Sequence, residues 1–176
     1  MSEIKPENAG LEKIRAIALD VDGVLTDGGF WWGADGQELK RFCFADIMGI
    51  SLARRAGFEL VLISGEMSPL VDRLAEKLLI RHVVKGCRDK ASALREFSAT
   101  VGIAPEAICF MRDDINDLAA MEIAGFSAAP ASAALDVLSP VKFVAESTGG
   151  NGAVRELVEV LLAAQGLDIQ EVFAKN

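Results

Sequence analysis

Two carboxylates lie where an apolar stretch runs out. Ile17, Ala18 and Leu19 are followed by Asp20, Val21, Asp22 and Gly23. Side chains alternate along a strand, so aspartates two residues apart leave it on the same side. Two unpaired carboxylates there repel each other unless a divalent cation or a shared proton sits between them. An acidic turn or helix cap accounts for one aspartate and leaves the other unexplained. Further polar groups follow other apolar runs. The run ending at Ile63 delivers Ser64 and Gly65, a hydroxyl and an accessible backbone N–H. Lys90 opens a helical stretch and offers a point charge to a phosphate, although a solvated helix lysine reads the same way. The run ending at Met111 delivers Arg112, Asp113, Asp114 and, after Ile115 and Asn116, Asp117. Each group alone is a weak signal. Together they make a site for a cation and an anion.

The elements that must carry these groups are short apolar runs alternating with amphipathic stretches. Residues 14–19, 59–63, 82–84 and 107–111 read as buried strands, because continuous hydrophobicity marks parallel strands covered on both faces. Helical periodicity fits 46–56, 68–79, 89–102, 115–124 and 152–165. This alternation predicts an α/β fold, a Rossmann-like doubly wound parallel sheet, whose ligand crevice lies at the carboxyl ends of the strands. Residues 28–42 interrupt the pattern with glycines at a tip and alternating residues on both sides, and read as an inserted β-hairpin. A two-stranded ribbon has little core of its own. Trp31 and Trp32 beside its turn are therefore expected at an intersubunit contact rather than in the core of this chain. One domain is expected over 13–166, with a loose lead-in at 1–12 and a polar tail at 167–176.

Composition narrows the function classes. The 176 residues carry 26 acidic and 18 basic side chains, a net charge of −8, which argues against sequence-independent nucleic-acid binding. The chain is 51% hydrophobic and 25% charged, a globular composition, and no apolar run approaches the length of a membrane span. Residues 1–7 lack a signal-peptide core, and Cys43, Cys87 and Cys109 show neither zinc spacing nor an even count. A reducing cytoplasm is the expected compartment. Cys109 reads as a buried thiol, and His82, the one histidine, as a strand residue without a catalytic partner.

The segments DVDGVLTDG from Asp20, ISGE from Ile63, DKASAL around Lys90 and DDINDLAAM from Asp113 resemble motifs one to four of the haloacid dehalogenase superfamily of phosphotransferases. GGNGAVRE, from Gly149, extends the resemblance, which covers about 13–165. It is closest to the capless branch that contains 3-deoxy-octulosonate 8-phosphate phosphatase and the nonulosonate 9-phosphate phosphatases. The resemblance implies that Asp20 is a nucleophile forming an aspartyl-phosphate and that Asp22 is the general acid and base. It implies Mg²⁺ held by Asp20, the Asp22 carbonyl and Asp113, with Asp114 and Asp117 in support. Ser64, Gly65 and Lys90 would hold the phosphoryl oxygens. Spacing agrees with the absence of a cap. Only 43 residues separate Asp20 from Ser64 and 25 separate Ser64 from Lys90, too few to house a cap domain. In the resembling family the open site is closed by a neighbouring subunit, so a homotetramer with hairpin 28–42 at the interface is implied.

Glu66 follows the second motif, where octulosonate phosphatases usually carry arginine, and Lys77 lies eleven residues on. That pair resembles the nonulosonate type and favours a nine-carbon sugar acid over the eight-carbon one. Asp46 is kept from the family pattern and is expected to bind substrate or cap the helix that follows. Arg112 stands where the family has glycine. It favours an alternative, a catalytically weakened relative serving as an oligomerisation or regulatory module. A receiver-type signalling domain also uses Asp, Ser or Thr and Lys, but its phosphorylated aspartate ends a middle strand and it has no place for the aromatic hairpin. It ranks last.

Overall fold

A computed structural model describes residues 10–114 and 118–175. Six parallel strands form one sheet in the order β5-β4-β1-β6-β7-β8. They are β1 (Ala16–Leu19), β4 (Glu59–Ile63), β5 (His82–Val84), β6 (Ile108–Met111), β7 (Phe126–Ala129) and β8 (Phe143–Val144). Two short strands, β2 (Trp31–Trp32) and β3 (Glu38–Leu39), pair antiparallel as the hairpin. The helices are α1 (Phe44–Arg55), α2 (Pro69–Leu78), α3 (Lys90–Val101), α4 (Leu118–Ile123), α5 (Leu135–Leu138), α6 (Ala153–Ala164) and α7 (Ile169–Ala174).

The strand alternation divides the core in two. Ile17, Leu19, Leu60, Leu62, Cys109 and Met111 pack with α1, α2 and α6 on one face. Ala16, Ala18, Val61, Ile63, Ile108 and Phe110 pack with α3 and α4 on the other. Every residue of β1 and β6 is therefore buried, as the unbroken apolar runs require. The chain runs outward from β1 through β4 to β5, then returns to place β6 on the other side of β1. That reversal beside β1 opens a crevice at the carboxyl ends of β1 and β6.

Helix ends follow local chemistry. The Ser68 side chain accepts from Leu70 N with Pro69 at the first helical position, and Gly102, at φ 69°, closes α3. The structure adds β7, β8, α5 and α7 to the predicted elements. β7, with the sequence FSAA, has too little β-branched character to announce itself, yet all four residues are buried beside β6. The C-terminal segment, expected as a polar tail, instead folds into α7. Asp168 accepts from Gln170 N and Glu171 N, Val172 is buried, and Arg55 Nη1 donates to the carbonyls of Phe173 (2.5 Å) and Lys175 (2.9 Å). Its docking on α1 is a long-range contact that no local pattern encodes. The lead-in likewise ends earlier, because Leu11 sits fully buried in a short 3₁₀ turn. Among the described residues, no helix is long and apolar enough to cross a membrane.

Candidate active site

The sheet places the acidic groups. Leu19 pairs with Leu62 on one side and Met111 on the other, so Asp20, Ser64 and Asp113 all emerge within a residue or two of the same level on adjacent strands. Asp20 N donates to Met111 O at 3.0 Å, and Val21 N donates to Asp20 Oδ1 at 2.7 Å. Lys90, from the first position of α3, donates through Nζ to Asp20 Oδ2. The Lys90 side chain is only 10% exposed, so it is not a solvated helix lysine. A buried carboxylate and ammonium are tolerated because each neutralises the other.

Gly23 explains how the fourth cluster reaches the first. It sits at φ +79°, and a Cβ there would fall 1.7 Å from Asp113 Oδ2. Only glycine lets that carboxylate rest on the loop that carries Asp20 and Asp22. Thr26 Oγ1 accepts from Gly23 N and Gly28 N, both at 3.2 Å, and holds the loop's turn. The glycine pair Gly149 and Gly150 packs against its outside, where side chains would strike Gly23 O and the Thr26 backbone. Burial and the charges of Asp20 and Asp114 push the Asp113 carboxyl up to about 7, with Lys90 opposing. Among the described residues no three His, Cys, Asp or Glu side chains form a metal cage. Asp20 and Asp113, whose carboxylates lie close enough to interact, are oxygen donors that suit a hard cation bound partly through water.

Ser64 is fully buried, its N donating to Val84 O at 2.8 Å and its Oγ accepting from Glu66 N at 3.1 Å. Cys87 N donates to Ser64 O at 3.0 Å, which ties the Ser64–Glu66 loop to the segment leading into Lys90.

No family model matches the chain. It is 39% identical over 158 residues to the 3-deoxy-D-manno-octulosonate 8-phosphate phosphatase KdsC of Escherichia coli K12, spanning 90% of this chain and 84% of that protein. The chain belongs to the 3-deoxy-octulosonate 8-phosphate phosphatase family. This family lies in the capless subfamily IIIA of the haloacid dehalogenase superfamily, and its members are phosphomonoesterases. The structure agrees, at TM-score 0.91 and 33% identity, with that of the Moraxella catarrhalis enzyme in complex with magnesium, phosphate and 3-deoxy-octulosonate, covering 97% of this chain and 98% of that one. Against the cobalt-bound Haemophilus influenzae enzyme the TM-score is 0.88 at 34% identity, with 94% and 99% covered.

Within this phosphatase-family fold the remaining predicted residues separate. Glu66 lines a cleft of ≈ 390 Å³ with Gln37 and Glu38 of the hairpin, Met67 to Leu70, and Arg73. Lys77, near the end of α2, is exposed and does not line it; Arg73, one turn earlier, is the cation that does. Asp46 is buried. Its carboxylate accepts from the N–H groups of Gly152 (3.1 Å), Val154 (3.0 Å) and Arg155 (3.2 Å), capping α6 rather than its own helix. Burial raises its pKa above the ordinary carboxylate value, against those three hydrogen bonds. Arg112 is fully buried and its Nη1 donates to Asp114 O at 2.9 Å, bracing the loop of the acidic cluster. Asp114 is exposed, and Asp117 lies outside the described residues.

His82 packs edge-on against Phe97 at 5.2 Å, and Cys109 is a buried thiol whose pKa burial raises. Lys40 gave no sequence signal. It lies in the hairpin, yet its side chain is buried and Nζ donates to Asp22 Oδ1 at 2.5 Å. Only the folded hairpin brings it there.

Proposed function

We propose that this chain hydrolyses a sugar-acid phosphate monoester, with Mg²⁺ as cofactor, through a phosphorylated Asp20. The observation that carries the reading is the buried Lys90–Asp20 pair beside an Asp113 carboxylate lodged on Gly23. Asp20 is held by Val21 N and Lys90 at the carboxyl end of β1, so its carboxylate is ordered before a substrate arrives. As the Asp20 oxygen bonds to phosphorus, the ester bond breaks and Asp22 gives its proton to the leaving alkoxide. Water then attacks the phosphorus, Asp22 takes the water's proton, and the Asp20–phosphorus bond breaks. Lys90, Ser64 and the Gly65 N–H hold the phosphoryl oxygens through both steps. Asp20, Asp113 and the Asp22 carbonyl would hold Mg²⁺, with Asp114 and Asp117 in support, and the cation would neutralise phosphoryl charge and the crowded carboxylates.

The eight-carbon 3-deoxy-octulosonate 8-phosphate is the favoured substrate, on the strength of the curated and structural relatives. The case for a nine-carbon acid rested on a Glu66–Lys77 pair. In this fold Glu66 is joined at the cleft by Arg73 instead, a guanidinium suited to a sugar carboxylate. The weakened-module reading loses its main support, because Arg112 braces the Asp114 backbone. In a single chain Trp31 and Trp32 are 63% and 74% exposed. They support assembly through the hairpin, with a homotetramer the form proposed. A cytoplasmic setting fits three free cysteines.

The test is Mg²⁺-dependent phosphate release from 3-deoxy-octulosonate 8-phosphate and an N-acylneuraminate 9-phosphate side by side, with EDTA as control. Higher kcat/KM on the eight-carbon ester is expected. Preference for the nine-carbon ester overturns the substrate, and no release from either overturns the enzyme reading.

A further inference from the structure

Lys40 is a poor candidate for burial. A lysine on a hairpin whose strands are two residues long can reach water at no cost, whereas a buried ammonium must be paired to be tolerated. Here its side chain is 0% exposed, Nζ lies over the Phe30 ring at 4.9 Å from the centroid, and it stands 2.5 Å from Asp22 Oδ1 and 3.7 Å from Glu38 Oε1. The hairpin is itself pinned on both flanks of the crevice. Ser68 Oγ donates to Glu38 Oε1 at 3.0 Å, and Arg41 Nη1 donates to Gly150 O at 3.0 Å and Asn151 Oδ1 at 3.1 Å. Asp22 Oδ2 has no protein partner among the described residues, while Oδ1 is taken.

We propose that Lys40 is a positioning residue for Asp22: the hairpin delivers its ammonium to one carboxylate oxygen so that the other is presented to the leaving oxygen and, later, to the attacking water. The inference rests on the reading of Asp22 as the proton-transfer group. A lysine N–H can bond Oδ1 whether or not Oδ2 carries a proton, so the same contact serves both half-reactions. No proton passes through Lys40. Its contribution is to fix the angle of a half-exposed side chain that nothing else on the described protein holds.

A double-mutant cycle tests this, with kcat and KM measured on an alkyl ester (3-deoxy-octulosonate 8-phosphate) and on p-nitrophenyl phosphate, whose leaving group needs no proton. Lys40→Met keeps the apolar stem and removes the donor, and Lys40→Gln keeps a neutral donor. Lys40→Met is expected to lower kcat on the alkyl ester by about 10- to 100-fold with KM within about twofold, and to spare the pre-steady-state burst of p-nitrophenol from the aryl ester, the one half-reaction that needs no proton from Asp22. Lys40→Gln is expected to fall between Lys40→Met and the parent. In an Asp22→Asn background, Lys40→Met should cost nothing further. Multiplying losses in the double variant, or a loss in the p-nitrophenol burst as large as the loss on the alkyl ester, would overturn the proposal. If Asp22→Asn alone leaves alkyl-ester turnover intact, the assignment of Asp22 itself fails, and this inference with it. A shifted unfolding midpoint in Lys40→Met with unchanged kcat would mark Lys40 as structural and also overturn it.

Discussion

The crevice floor and the hairpin above it solve the same problem in opposite ways. On the floor, Asp20 and Asp113 leave strands whose every residue is buried, and their positions are set by the register of β1 with β6. The hairpin has only two residues in each strand, all exposed or half-buried, and it holds position through side chains: Lys40 on Asp22, Glu38 on Ser68, Arg41 on the Gly150 loop. A sheet fixes its ends by many backbone bonds at once, so it suits the carboxylates proposed to attack phosphorus and to hold the cation. A side-chain-anchored ribbon can be adjusted by one substitution, which suits groups that aim the chemistry or meet a partner.

If that contrast holds, damage to the floor must be far costlier than damage to the ribbon. Asp20→Asn should reduce turnover by at least about 10⁴-fold while far-UV circular dichroism stays unchanged, since the amide keeps the shape but cannot attack phosphorus. Undiminished turnover would remove Asp20 as nucleophile. Gly23→Ala comes next. Its Cβ would displace Asp113 Oδ2 from 1.7 Å, at a backbone φ of +79°. A Mg²⁺ affinity loss of about 10- to 100-fold is expected by calorimetry, together with about 1–2 kcal/mol of destabilisation.

A smaller effect distinguishes the floor by its charge. Without a cation, Asp113 has a folded pKa raised to about 7. A raised carboxyl contributes stability that is full below the unfolded value of about 4 and is lost as pH rises through the folded one. Cation binding needs the carboxylate, so the rise in thermal midpoint on adding Mg²⁺ should be larger at pH 8 than at pH 6. A shift independent of pH would show that Asp113 is not among the ligands. The ribbon is probed by replacing Trp31 and Trp32 with serine. Sedimentation should show dissociation to a smaller species, whereas the unfolding midpoint of the isolated chain should move little, because neither ring is buried in it.

Much of the floor was legible before folding. Asp20, Asp22 and Asp113 follow continuous apolar runs, and such runs have one stable home, between helices in a parallel sheet. The absence of a cap followed from the spacings between Asp20, Ser64 and Lys90. Lys77, eleven residues after Glu66 in sequence, stands outside the cleft that Glu66 lines, because a count along the chain does not say which cleft a helix face meets; Arg73 lines it. Asp46 misled because an aspartate near a helix start ordinarily caps its own helix, and here the N–H groups it serves begin more than a hundred residues later. α7 escaped notice because six residues are too few to be helical without the α1 surface they dock on.

Sequence alone determined the α/β architecture, four of its six parallel strands, and which of their ends carry acid. Those follow from local periodicity and side-chain type, which act over a few residues. Only the tertiary structure decided the partners of those groups: Lys90 on Asp20, Lys40 on Asp22, Asp46 under α6, and Arg55 on the C-terminal carbonyls. Each joins segments between 18 and 120 residues apart, and such a pairing is set by how the layers pack, which no local pattern records.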